Sequence, residues 1–243
     1  MPHALQAIAP LTTEYIKSSD LPIVVVGNGP VGVRITEELL DRLPEVPVII
    51  YGEEQCEPYN RVRLSSWLAG DLGWNDIKQP LKRPFGGKVE ERLGFRITEI
   101  NREQKTVTDA RGQIQPYRQL VLATGSAAFV PNIPGIRTPG VYTFRDFNDT
   151  NHLLARRARS HHTVVLGGGL LGLEAARGMA RHGTRVTVID HADRLLPMQL
   201  DEAASNRLLK DVIALGICVR LNEGVNEVLG KERVRGLKLG SGE

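Results

Sequence analysis

Two glycine triplets stand out by spacing: Gly27-x-Gly29-x-x-Gly32 and, 140 residues on, Gly167-x-Gly169-x-x-Gly172. The chemistry such a triplet serves is pyrophosphate binding. A first glycine makes a tight turn, a second lets backbone approach the phosphates, and a third lets a helix pack closely on a strand. The helix N-terminus then offers free N–H groups and the positive end of its dipole. Each triplet is followed by an acid where a ribose needs one. Glu53 lies 21 residues after Gly32, and Asp190 lies 18 after Gly172, each at the end of an apolar run. A carboxylate there accepts ribose hydroxyls and repels a 2′-phosphate, so Asp190 favours NAD, while Arg185 and Arg194 nearby leave NADP open. One triplet alone is weak evidence, because glycine-rich turns are common. Two in one chain, each with its acid, point to a pair of dinucleotides and so to electron transfer.

Holding these residues in place requires a strand before and a helix after each triplet. Val24-Val-Val-Gly-Asn-Gly-Pro-Val-Gly is echoed by Val164-Val-Leu-Gly-Gly-Gly-Leu-Leu-Gly. Each copy runs into an amphipathic stretch and then a second apolar strand, Pro47-Val-Ile-Ile-Tyr or Arg185-Val-Thr-Val-Ile. The fold expected is α/β with two doubly wound units. Between the echoes, Phe95-Arg-Ile-Thr-Glu-Ile, Lys105-Thr-Val-Thr-Asp and Gln113-Ile-Gln-Pro-Tyr alternate with a period of two and predict an antiparallel meander in the first unit. Leu120-Val-Leu-Ala-Thr-Gly reads as a buried strand rejoining the first sheet. A Pro/Gly-rich linker near 131–140 leads to an arginine-rich helix near 149–160, and the domain boundary is expected near residue 147. Residues 1–20 read as a leader, 21–147 as the first domain and 148–243 as the second. Asp201 to Leu215 reads as a helix stopped by Gly216, with Ile217-Cys-Val-Arg-Leu as a strand after it.

Composition narrows the classes. A net charge of +3, spread along the chain, gives no reason to expect nucleic acid. No apolar run approaches the roughly 20 residues that span a bilayer. Cys56 and Cys218 are the only cysteines, so no disulfide framework or zinc-finger set can be drawn, and the six histidines show no ligand spacing. Without a secretory signal in the first twenty residues, the expected location is cytoplasmic. Arg156, Arg157 and Arg159 with His161 and His162 form a basic run that reads as a solvated helix face or as a docking surface for an acidic electron carrier.

These motifs, with Glu57-Pro-Tyr-Asn-Arg-Val-Arg-Leu-Ser-Ser, Ala123-Thr-Gly-Ser and Val130-Pro-Asn-Ile-Pro-Gly, resemble the two-dinucleotide-binding-domain flavoproteins of the pyridine nucleotide-disulfide oxidoreductase superfamily. The chain is most similar to the N-terminal modules of nitrite reductase large subunits and to rubredoxin-reductase-type enzymes. The resemblance runs from residue 21 to 243 and implies two Rossmann-like units, FAD in the first and NADH in the second, with NADPH possible. It implies a pyrophosphate over Gly27, Gly29, Pro30 and Gly32, a ribose on Glu53, and Arg61 along the ADP half. Ala123, Thr124 and Gly125 would close over the flavin. Gly167, Gly169, Leu170, Leu171 and Gly172 would border the second pyrophosphate, with Asp190 on its ribose. Glu174 would lie where nicotinamide meets isoalloxazine; read by itself it is a first-turn helix acid favoured by the dipole.

The activity implied is hydride transfer from NAD(P)H to FAD, then electrons onward to an iron–sulfur, sirohaem or rubredoxin-type acceptor. Where ferredoxin-reductase-type relatives often carry a lysine, this chain has Ser66, and the redox-active cysteine pair of the disulfide reductases is missing. The family's return strand to the FAD domain is not found before Gly240-Ser-Gly-Glu, so a C-terminally truncated chain, apolar exposed surface and possible homo-oligomers are expected. The alternative is a non-catalytic dinucleotide-binding or docking module, or a fragment unable to turn over alone.

Overall fold

The computed structural model describes residues 20–82 and 88–243; the leader expected over 1–20 lies outside them except for Asp20. By contacts the chain divides into two compact units. One runs to Gln55 and resumes at Leu81–Thr124, and the other takes Cys56–Pro80 with Gly125–Glu243. The first unit is therefore discontinuous, and the contacts divide the chain elsewhere than near residue 147.

In the first unit, β1 (Ile23–Val26) is buried at every position, as the interior strand of a parallel sheet must be. The chain turns through the glycines into α1 (Pro30–Arg42), crosses back to β2 (Val48–Gly52), and adds β3 (Val89–Leu93) and β7 (Gln119–Leu122). The sheet order is β3-β2-β1-β7, all parallel. Successive side chains of a strand point to opposite faces, and two core clusters follow that rule. Val25, Val48 and Ile50 meet Val33 and Leu40 of α1 on one face. Val24, Val26, Ile49 and Tyr51 meet Val107 and Tyr117 on the other. That second cover is the expected meander, β4 (Ile97–Asn101), β5 (Thr106–Asp109) and β6 (Ile114–Pro116), paired antiparallel. Asp109 closes its hairpin by accepting from the amides of Arg111 (2.9 Å) and Gln113 (3.0 Å). The strand expected at Leu120 is present as β7 but is not buried: among the described residues it is the outer strand of the sheet, and Leu122 is 58% exposed.

The second unit begins with two short helices, α2 (Leu64–Leu68) and α3 (Trp74–Ile77). They gather Trp67 and Trp74 around Tyr59 and Phe147, with ring centroids 5.2 Å apart for Trp67–Phe147 and 4.7 Å for Trp74–Phe147. The helix expected near 149–160 is α4 (Phe147–Arg156), whose one arginine is Arg156; Arg157 and Arg159 lie in the 3-10 turn that follows it. The second echo follows as β8 (His162–Leu166), α5 (Leu170–Arg181), β9 (Arg185–Ile189), α6 (Glu202–Ala214) and β10 (Ile217–Arg220), in a parallel sheet of order β10-β9-β8. Asp201 caps α6 and Gly216 ends it in a left-handed turn. A hairpin, β11 (Val225–Leu229) and β12 (Gly236–Leu239), completes the unit. Val186, Val188 and Ile217 face Ala175, Ala176 and Met179 of α5 and Val212 of α6. The opposite face, through Thr187, Ile189, Cys218 and Arg220, lines an open groove of about 950 Å³. Among the described residues no helix is long and apolar enough to cross a membrane.

Candidate functional site

The two glycine turns lie at the carboxyl ends of β1 and β8, each leading into a helix. In the first, the Gly27 amide donates to the Tyr51 carbonyl at 2.8 Å, and its φ of +113° is one that L side chains rarely adopt. A Cβ on Gly32 would lie 1.7 Å from the Gly27 carbonyl oxygen, so only glycine lets α1 start this close to its strand. Gly29 is different: nothing lies within 4 Å of where its Cβ would be. The second turn repeats the division of labour. Gly167 has φ +109° and donates to the Ile189 carbonyl at 2.8 Å. A Cβ on Gly172 would meet the Gly167 oxygen at 2.0 Å, and Gly169 faces open space.

Of the four helices of ten residues or more among the described residues, the two that follow these turns are unlike the other two. At α4, Asp146 accepts from the Asp149 amide at 2.9 Å, and at α6, Asp201 accepts from the Ala204 amide at 2.8 Å. At α1 and α5 the caps are Gly29 and Gly169, and no side chain takes up the free amides. Pro30 begins α1, and Leu170 and Leu171 begin α5 with exposed side chains. Uncapped amides beside a backbone that leaves room for a ligand are the donor set a pyrophosphate requires. The residues present fit a dinucleotide at both turns.

The remaining predicted residues are placed as follows. Glu53 is exposed just past β2 and sits 3.6 Å from Arg96. Ala123, whose amide donates to the Val26 carbonyl, lies beside Gly27; Thr124 follows it, exposed. Gly125 and Arg61 group with the second unit. Arg61 Nη1 donates to the Arg145 carbonyl at 3.1 Å, and its guanidinium stands 5.3 Å from the Tyr59 ring centre. Asp190 follows β9 and is buried.

Two sequence expectations change. Arg185 opens β9, at the end away from the glycine turn, because a strand rises about 3.3 Å per residue and four steps separate it from Ile189; it cannot read a ribose beside Asp190. Glu174 is not in the first turn of α5, which holds no acid, so the helix dipole does not account for it. It is half-buried one turn further in and makes no hydrogen bond or ion pair among the described residues. Sequence reasoning missed Asn28, Gly52 and Gly168, whose side chains, or lack of them, pack the turns. A Cβ on Gly52 would lie 2.5 Å from the Asn28 amide carbon, and one on Gly168 would lie 2.7 Å from Leu195. His162 begins β8 at the end away from the turn; burial and then Arg185 hold its imidazole below the usual value.

A family model described as pyridine nucleotide-disulphide oxidoreductase matches residues 21–243. The chain is 39% identical over 225 residues to the NAD(P)H nitrite reductase of Bacillus subtilis (strain 168), covering 90% of this chain and 28% of that protein. It is 31% identical over 228 residues to the rubredoxin-NAD(+) reductase of Pseudomonas putida, covering 92% and 59%. A ferredoxin reductase from Rhodopseudomonas palustris matches with a TM-score of 0.80 at 24% identity, over 91% of this chain and 55% of that one, which is a likeness of fold. The chain spans 28%, 23% and 25% of the length of three nitrite reductases it matches.

Proposed function

Because the chain belongs to the pyridine nucleotide-disulphide oxidoreductase family, we propose that it is the FAD- and NAD(P)H-binding module of an oxidoreductase that delivers electrons to a protein or domain of iron–sulfur, sirohaem or rubredoxin type. The observation that carries the reading is the pair of uncapped helices, each behind a glycine whose Cβ position is open. In this reading residues 21–147 serve the flavin and 148–243 the nicotinamide nucleotide. Gly27, Gly29, Pro30 and Gly32 hold the FAD pyrophosphate on the amides at the head of α1, and Glu53 takes the adenosine ribose. Ala123 and Thr124, in the same unit, complete the flavin set there. Gly167, Gly169, Leu170, Leu171 and Gly172 do for NAD(P)H what the first turn does for FAD, with Asp190 beside them. Bound flavin supplies the conversion of a two-electron hydride into single electrons. No residue here needs to move a proton in that step. The protein's part is to orient and to exclude water, and Glu174, free of partners, is the candidate to face the nicotinamide. Cys56 and Cys218 are not joined in a disulfide and lie 162 positions apart in sequence, so a redox disulfide is not part of the proposal.

The test is the visible spectrum of the purified chain with added FAD, before and after anaerobic NADH. A flavin spectrum that bleaches supports the proposal. A chain that takes up no FAD, or holds FAD that NADH leaves oxidised, sinks the hydride path and leaves a nucleotide-binding module. Gly29→Asp should abolish flavin uptake by putting bulk and negative charge where the phosphates belong; full retention would sink the assignment of the first turn.

A further inference from the structure

Neither glycine turn accounts for the motif over residues 57–66. It leads into α2, which has only five residues. A helix that short does not hold by itself in water, because its first turn fixes several residues for one hydrogen bond. α2 therefore depends on its neighbours, and the main one is α5, the helix that the second glycine turn begins. Leu68 is fully buried in the same core cluster as Ala175, Ala176 and Met179 of α5. It sits so close to Gly178 that a Cβ there would meet its Cγ at 2.9 Å. The carbonyls left open at the end of α2 are taken up by the end of α5. His182 Nε2 donates to the Leu68 carbonyl at 2.6 Å, and Arg181 Nε donates to the Ala69 carbonyl at 3.3 Å. Asp71 then accepts from Arg177 at 3.0 Å and pairs with Arg181 at 3.2 Å. Upstream, Tyr59 Oη accepts from the Phe147 amide at 3.0 Å, and Trp67 stacks on the Phe147 ring. All of these contacts lie within the second unit.

We propose that α2 and α5 open and close as one body, coupled through Leu68 and Asp71, so that a nucleotide held at the second glycine turn also orders residues 61–71. The inference rests on the reading of that turn as the NAD(P)H site and adds a regulatory consequence to it. The amides at the head of α5 exist as a donor set only while α5 is formed. A ligand bound there stabilises by mass action whatever must open together with α5, and nothing that opens alone. Leu68 is the larger coupler, because a side chain seated in the core outweighs an ion pair that water reaches. The coupling is reciprocal: a partner that grips residues 61–71 tightens nucleotide binding by the same factor.

The experiment is amide hydrogen exchange on the 243-residue chain, with and without NADH at about 100 times its measured Kd. The amides to follow are those of Ala69 and Gly70, which donate to the Ser65 and Trp67 carbonyls, and those of residues 176–179 in α5. NADH is expected to slow both sets by the same factor, up to about 100-fold. Leu68→Ala should keep the response of α5 and cut that of Ala69 and Gly70 by about tenfold or more. Asp71→Asn removes no core side chain and carries the test where Leu68→Ala fails to fold; it should cut the same response by about threefold, and Asp71→Glu should restore it. A wild type in which NADH slows α5 but not Ala69 and Gly70 overturns the inference, as does a full response in both Leu68→Ala and Asp71→Asn. If NADH slows neither set, the NAD(P)H reading itself fails, and the inference with it.

Discussion

The two glycine turns share a spacing but not a neighbourhood. β1 lies inside a four-stranded sheet, with β2 on one side, β7 on the other, α1 over one face and the meander over the other. β8 is the outer strand of a three-stranded sheet among the described residues, and the face turned from its helices is an open groove. A Cβ on Gly27 would meet the Ala123 carbonyl oxygen at 2.2 Å, brought there by β7; a Cβ on Gly167 would meet nothing within 4 Å. Yet the φ values, +113° and +109°, are nearly the same. The motif sets the conformation of the turn, and the sheet around it sets how much room the turn has.

The largest expected effect is one the turns share. Gly32→Ala and Gly172→Ala each push a Cβ into a backbone carbonyl, at 1.7 and 2.0 Å, and each should cost about 3 kcal/mol or more. Hydrogen exchange over β1–β2 for the first variant and β8–β9 for the second reads the loss, and a near-neutral result at either would break the parallel. The next effect should divide them. Positive φ alone costs an alanine about 1–2 kcal/mol at either first glycine, and the clash with Ala123 should add about 1–3 kcal/mol at Gly27 only. Equal losses for Gly27→Ala and Gly167→Ala would mean that β7 yields. Third, Asp190→Asn should destabilise the second unit by about 1–3 kcal/mol, because the carboxylate accepts from the Gly168 and Ala192 amides and an amide side chain can accept from only one of them. Thermal unfolding measures it. The first turn has no counterpart to lose: Gly52, one past the Val26–Tyr51 pair as Asp190 is one past Leu166–Ile189, holds the equivalent place.

The smallest effect concerns Glu223. Hydrogen bonds from Ser241 first, then from the Gly224 amide, with Arg220 nearby, outweigh desolvation and hold its carboxyl below the usual carboxylate value. A depressed folded pKa means the stabilisation is present above the unfolded value and is lost as pH falls through the folded one. Exchange protection at the β11–β12 hairpin should therefore weaken as pH drops below about 4.5, and Glu223→Gln should flatten that dependence.

What was legible in the sequence was whatever depended on burial pattern or on punctuation. The unbroken Ile23–Val26 run, the alternating meander and the Asp201–Gly216 limits of α6 each carry their own signal. β3 went unread because its Val-Glu-Glu-Arg-Leu lies at the sheet edge and shows no apolar run. β7 was taken for a buried strand because apolar composition does not say whether a strand has neighbours on both sides. Spacing found the acids near each turn but not their surroundings: a strand reverses its side chains at every residue, so the exposed Glu53 and the buried Asp190 look alike in the sequence.

The aromatic cluster around Phe147 has a spectroscopic consequence. The chain's two tryptophans, Trp67 and Trp74, both belong to it, so the first unit contains none. Intrinsic tryptophan emission therefore originates entirely in the second unit. An indole introduced beside the first turn would give that turn a signal of its own.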